Sequence, residues 1–280
     1  MQKKEMEFQL KSFCQHLLVH RGFAQNTIEN YRKLIRKLIT EIADIRPTHE
    51  QISEYVVSIY SRQYSYYHIV NTTVAIERYM DFIGDPIKLG RPKKPKRVVK
   101  RTLTEAEVAV FIAAAKDIRE KAIITLLAYS GIRAAELCNL KLCDVDFGNN
   151  EVTINRGKGA KDRIVHIDGE CTKVLMAYLA IFARGEGSHL FTTLASGKQY
   201  STWALRRLVK VIAGRTKIDK RIHPHLFRHS LATNLIDRGA NVRTVQKQLG
   251  HSFLETTMIY VESRPQRVKA EYHTFCPSYL

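Results

Sequence analysis

The segment DPIKLGRPKKPKRVVKR, residues 85–101, sets the first limit on how this chain folds. Lys88, Arg91, Lys93, Lys94, Lys96, Arg97, Lys100 and Arg101 meet no acidic residue between Pro86 and Arg101, and Pro86, Pro92 and Pro95 oppose a helix. A stretch this charged does not enter a core, so it reads as an extended linker, residues 86–101, with a folded unit on each side. The natural counterpart of such a run is a phosphate backbone; a merely solvated linker is the alternative. The whole chain leans the same way, with 45 Lys plus Arg against 27 Asp plus Glu and a formal net charge of +18. Nucleic acid comes first among polyanions because each phosphate neutralised releases bound counterions.

Residues 1–85 carry helical periodicity throughout. Met6, Leu10, Phe13 and Leu17 recur at spacings of four and three, which places them on one helical face. Asn26 or Thr27 is the expected cap of a second helix, with Ile28, Tyr31, Ile35, Leu38 and Ile42 as its stripe. Thr48 and Gln51 have capping-box spacing ahead of Ile52, Tyr55, Val56 and Ile59. A fourth stripe runs through Ile69, Thr73, Ile76, Met80 and Ile83, and Gly84 with Pro86 ends it. The expectation is a small all-helical unit.

Residues 102–280 mix two patterns. Thr104 and Glu107 form another capping box before Val108, Phe111 and Ile112, and an apolar helix through Ile123–Tyr129 runs into Ser130-Gly131. Val152–Asn155 and Arg163–Ile167 are short β-prone runs flanking Gly157-Lys158-Gly159-Ala160-Lys161, the signature of a hairpin. The remainder reads as mostly helical, without a repeat.

Other classes are disfavoured. Met1–His20 lacks the apolar stretch and cleavage site of a signal peptide, and no apolar run approaches a bilayer span. Cys14, Cys138, Cys143, Cys171 and Cys276 make an odd set with no CxxC pair, which favours reduced thiols and a cytoplasmic setting.

Five segments bring groups suited to a phosphodiester. In Gly131-Ile132-Arg133-Ala134-Ala135-Glu136-Leu137, Arg133 follows a glycine break and can offer its planar fork to two phosphate oxygens, with Glu136 near enough to hold it. Lys158, between two glycines at the hairpin tip, can reach into a groove or to a leaving oxygen. In His223-Pro224-His225-Leu226-Phe227-Arg228-His229, a helix starting after Pro224 puts His225 and Arg228 one turn apart, joining a proton-transferring imidazole to a second guanidinium. Leu249-Gly250-His251 sets an imidazole at a helix end, and Tyr260 follows within one short element. Each has a plainer reading: a surface ion pair for Arg133, a solvated turn for Lys158, core packing for Tyr260. The three histidines could be a zinc site, although no HExxH, paired Cys or nearby acid completes one.

Taken in order, Gly-Ile-Arg-x-x-Glu-Leu, Gly-Lys-Gly-x-Lys-x-Arg, His-x-x-Arg-His, Leu-Gly-His and Tyr260 resemble the tyrosine recombinases, or phage-type integrases, of the Xer-like kind. Asn26-Thr27 through Tyr31 also resembles their core-binding domain, so the likeness spans nearly the whole chain. The fold implied is mainly α with a small β-hairpin or sheet, two domains forming a C-shaped DNA clamp. Residues 1–85 would be the helical core-binding (SAM-like) domain and 102–280 an α+β catalytic domain with a C-terminal tail. The function implied is site-specific recombination through a 3′-phosphotyrosyl intermediate, in two strand exchanges by way of a Holliday junction. The catalytic set would be Arg133, Lys158, His225, Arg228, His251 and the nucleophile Tyr260, backed by Glu136. Lys93, Lys94, Lys96, Arg97, Lys100 and Arg101 would contact DNA. No metal or cofactor is expected. The implied partners are duplex DNA with an inverted-repeat core site and further copies of the chain in a tetramer, with Ser263–Leu280 docking on a neighbour. Two other readings stay open: a helix-turn-helix regulator built from Leu226–Asp237 and Asn241–Leu249, and a nicking-closing enzyme of the topoisomerase type.

Overall fold

The computed structural model describes residues 3–95, 102–155, 162–182, 185, 187–193 and 197–250. The chain divides into two compact units, Met1–Val98 and Val99–Leu280.

Among the described residues the first unit is helical: α1 (Lys3–Arg21), α2 (Gln25–Ile42), α3 (His49–Ser61) and α4 (Tyr66–Phe82). The apolar stripes read from the sequence form its core, with Leu10, Phe13 and Leu17 of α1 against Ile35 and Leu38 of α2 and Ile76 and Met80 of α4, all buried. Each such apolar side chain contributes roughly 1.5–3 kcal/mol of burial, and together they hold helices that are marginal alone. Thr48 caps α3 with the expected box, its hydroxyl accepting from Gln51 N–H while Gln51 Oε1 accepts from Thr48 N–H. The cap of α2 differs from expectation. Ala24 occupies that position with no side-chain bond, and Asn26 and Thr27 lie inside the helix.

The proline-rich segment also departs from a free linker at its start. Ile87 and Leu89 pack against the core of the first unit. Glu77 on α4 accepts the Leu89 N–H at 2.9 Å and pairs with Arg91 at 2.6 Å, and Arg91 also donates to Thr73 at 3.1 Å. The acid absent from the local sequence is therefore supplied by α4. Lys93 and Lys94 beyond it are exposed.

The second unit opens with α5 (Glu105–Ala113), started by the Thr104–Glu107 capping box, and α6 (Ile118–Ser130). Ala122, Ile123, Ile124, Leu126 and Leu127 of α6 are all buried, so this helix is covered on most sides and forms the axis against which α5 and two later helices, α8 (Gly169–Ile181) and α10 (Pro224–Asp237), pack. After α7 (Ala134–Asn139) comes a three-stranded antiparallel sheet in the order β1 (Val145–Asp146), β2 (Glu151–Ile154), β3 (Arg163–His166). The β2–β3 pair closes at Ile154 opposite Arg163. Then follow α8 (Gly169–Ile181), α9 (Thr202–Ala213), α10 (Pro224–Asp237) and α11 (Val242–Leu249). Ala232 and Ile236 of α10 pack on Val245 and Leu249 of α11, and Asn241 caps α11. Among the described residues no helix is long and apolar enough to cross a membrane.

Candidate active site

The site forms where the ends of α6, α7, α11 and β3 meet the first turns of α10. Gly131 stops α6 in the left-handed conformation, φ 64°. A Cβ there would lie 2.7 Å from Leu249 Cδ2 and 2.9 Å from Leu231 Cδ2. Both the dihedral and the close approach of α10 and α11 therefore require glycine. The turn delivers Arg133 to the N-cap of α7.

An arginine side chain cannot accept a capping bond, and Glu136 does the work instead. Its Oε2 accepts the Arg133 backbone N–H at 2.7 Å and its Oε1 accepts Arg133 Nη1 at 2.7 Å. Arg133 Nη2 donates to the Gly250 carbonyl at 3.2 Å. The fork is thus fixed from two directions. Glu136 is itself gripped by Arg163 of β3, whose Nη1 and Nη2 reach Oε1 at 2.9 Å and Oε2 at 2.8 Å. Burial works to raise the Glu136 pKa, but the bonds from Arg163 and from the Arg133 backbone outweigh it and hold the carboxyl at about 2. It is an anion at any physiological pH.

Arg228 lies within α10 and is only 1% exposed. Its Nη1 donates to the Gly131 carbonyl at 2.8 Å and its Nη2 to the Leu249 carbonyl. Burying a guanidinium is tolerable when its donors meet oriented acceptors, and here helix-end carbonyls serve. Pro224 is the first residue of α10, and His223 its N-cap. His225 stands exposed in the first turn, its ring edge-to-face against His229 at 4.5 Å. One helix turn therefore separates a buried cation from an imidazole at the surface.

α11 ends at Gly250, φ 64° and ψ 50°. A Cβ at Gly250 would lie 2.5 Å from Arg163 Cδ and 2.6 Å from its Nε, so the glycine lets α11 rest directly on the arginine that holds Glu136. Gln248 completes the junction. Its amide bonds His166 N–H at 3.1 Å and His166 O at 2.7 Å on β3, and reaches Ser130 O at 3.4 Å.

Arg133, Glu136 and Arg228 are thus brought together, with Gly250, the residue before His251, between them. Lys158, His251 and Tyr260 lie outside the described residues, as do Lys96, Arg97, Lys100 and Arg101 and the tail Ser263–Leu280. Arg163 and Gln248 are parts of this junction that reading the sequence left without a role. Arg163 ends the Gly-Lys-Gly-x-Lys-x-Arg run, but its partner is 27 residues away. Among the described residues no group of three or more His, Cys, Asp or Glu could hold a metal ion. The α10–α11 pair that resembled a helix-turn-helix turns its inner face to this junction through Arg228 and Leu249.

Comparison with known proteins gives the family and the fold. The model of the phage integrase family matches residues 101–267. Tyrosine recombinase XerA of Pyrococcus horikoshii is 32% identical over 258 residues, covering 90% of this chain and 88% of that protein. The crystal structure of XerA recombinase superposes with a TM-score of 0.57 at 28% identity, covering 98% of this chain and 99% of the other. XerH site-specific recombinase bound to difH substrate, in a pre-cleavage complex, gives a TM-score of 0.71 over 97% of this chain and 90% of that one. At 19% identity that last likeness is one of fold.

Proposed function

The chain belongs to the phage integrase family and is a tyrosine-type site-specific recombinase; on that premise we propose how its own residues divide the work. Tyr260 Oη attacks the scissile phosphorus of a DNA strand, forming a 3′-phosphotyrosyl bond as the bond from phosphorus to the 5′-oxygen breaks. His225 takes the phenolic proton and Lys158 supplies one to the departing 5′-oxygen. Arg133 and Arg228 stabilise the charge that builds on the non-bridging oxygens, and His251 hydrogen-bonds to them. A 5′-hydroxyl from a partner duplex then reverses the step. One phosphodiester is exchanged for another, so the chemistry needs neither ATP nor a cofactor, and two guanidiniums with a lysine supply the positive charge that a metal supplies elsewhere.

One observation supports this reading above the others. Arg228 and Arg133 are tethered to consecutive carbonyls, those of Leu249 and Gly250. Two cations that share one backbone corner are preorganised for a single small anion.

The partner is duplex DNA with inverted repeats, contacted by both units, with Lys93, Lys94, Lys96, Arg97, Lys100 and Arg101 along its backbone. The active assembly is a tetramer on two sites, working in the cytoplasm, and strand exchange passes through a Holliday junction. Ser263–Leu280 docks on a neighbouring copy. A cavity of about 940 Å³ lined by Val108, Ile112, Tyr129, Leu231 and Leu235 gives the second unit an apolar surface suited to receive it. Deleting the chain after Ser263 then abolishes cooperative assembly and spares binding by one subunit; tetrameric synapses from the truncated protein would refute this.

The test of the chemistry is covalent trapping. Duplexes of randomised sequence are incubated with the protein, detergent-resistant adducts are selected, and the recovered sequence is rebuilt with a nick beside the cleavage point. The native chain accumulates adduct on it and Tyr260→Phe does not. Equal adduct from both, or none from either, contradicts the proposal.

A further inference from the structure

We infer that Arg163 is a positioning residue for the strand-cleavage step, which neutralises Glu136 so that Arg133 keeps its positive charge for the scissile phosphate. The inference rests on the reading above for the identity of the anion, but its warrant is the geometry of the trio. Glu136 makes two competing contributions to Arg133. It fixes the fork, through bonds of 2.7 Å to both the backbone N–H and Nη1. It also places a full negative charge against the guanidinium, in a site where the Glu136 side chain is 10% exposed and solvent screens little. A pair made of Arg133 and Glu136 alone would be close to neutral and a poor clamp for a phosphate.

Arg163 resolves the conflict. It binds the same carboxylate in bidentate form at 2.9 and 2.8 Å, with its own side chain 13% exposed. Two guanidiniums then face one carboxylate, leaving a single net positive charge. The more open member carries it outward: Arg133 is 27% exposed, twice as much as Arg163. Arg163 is covered by Gly250, whose missing side chain leaves room for its Cδ and Nε, and Nε is buried without a hydrogen-bond partner in the described structure. Arg163 is therefore held inward, facing the carboxylate. It also begins β3, opposite Ile154 of β2, so that strand is anchored to the Arg133 clamp through one carboxylate.

A charge-balancing role differs from a scaffolding role in what rescues its loss. Three variants are compared with the native chain on the selected nicked duplex: Arg163→Met, Arg163→Lys and the double variant Glu136→Gln/Arg163→Met. Single-turnover adduct formation and DNA affinity are measured separately, with thermal unfolding alongside. Arg163→Met slows adduct formation by about a hundredfold, the scale of losing one preorganised donor, with affinity little changed. Neutralising Glu136 in the double variant recovers at least roughly tenfold of that, because no anion is left to cancel Arg133. Arg163→Lys, which keeps the charge without the fork, stays closer to the native rate than Arg163→Met. The inference is overturned if Arg163→Met cleaves at the native rate, or if the double variant is no faster than the single one. Should Arg163→Met fail to fold, the remaining two decide: both active supports the role, and loss in either overturns it. Absence of adduct from the native chain would instead count against the function itself.

Discussion

Replacing Glu136 by Gln removes the anion on which the junction of α7, β3 and α11 depends, and the cost can be worked from its ionisation. The carboxyl is held at about 2 against an ordinary value of 4.5, because bonds from Arg163 and Arg133 outweigh the burial that would raise it. At about 1.36 kcal/mol per unit, the native charge interactions of Glu136 contribute on the order of 3 kcal/mol at neutral pH. Its side chain is 10% exposed, so little of this is discounted for screening. The sign follows from the depressed pKa. The contribution is complete above the unfolded value, then falls as the pH drops toward the folded one, with about 2 kcal/mol gone by pH 3. The assay is urea unfolding followed by the fluorescence of Trp203, the sole tryptophan, which reports on the second unit alone. Native and Glu136→Gln proteins are compared from about pH 7 to pH 3, and only the difference between them is used, so that other carboxylates cancel. The gap should be constant down to about pH 5 and then close. Parallel curves across the whole range would refute the assignment of Glu136 as a strongly stabilised anion.

Three further outcomes follow from the same packing. Gly131→Ala adds a methyl group within 3 Å of the buried Leu249 and the half-buried Leu231 at a left-handed φ, and should destabilise the second unit by about 2–3 kcal/mol in the same urea assay. Ser230→Ala leaves the Leu103 N–H without the hydroxyl that accepts it at 2.8 Å, costing about 1–3 kcal/mol; a change below about 0.5 kcal/mol would mean that water replaces the serine. Arg228→Lys cannot span the Gly131 and Leu249 carbonyls, and should slow adduct formation by about 10²–10³ while gel-shift affinity is retained.

What the sequence revealed and what it concealed divides along range of interaction. The stripes of α1 to α4 and both capping boxes were legible because period and cap are local properties, fixed within a turn or two. Asn26 and Thr27 are good capping types, yet α2 starts with the N–H groups of Thr27 and Ile28 donating to the Ala24 carbonyl and no side-chain oxygen involved. β1 leaves no pattern in the sequence because two residues carry no alternation. Arg91 looked unopposed because its acid, Glu77, lies a helix away. The same limit hid Arg163: a bidentate partner in α7 leaves no trace in the local pattern of a β-strand. By contrast Arg133 and Glu136 are three residues apart, and that spacing already placed them together. Gly131 and Gly250 read as helix breaks, but their second role, admitting Leu249 and Arg163 at close range, exists only in the packed structure.

Which side chain bears the DNA separates Tyr260 from every other candidate nucleophile. The trapped adduct, digested with trypsin and nuclease, is read by mass spectrometry for a residual nucleotide. Of the 13 tyrosines, the peptide spanning residues 248–267 contains Tyr260 alone, so the assignment is unambiguous. A 3′-linked deoxynucleotide is expected on that peptide; the same mass on any other tyrosine, or on a serine, would contradict Tyr260 as the nucleophile.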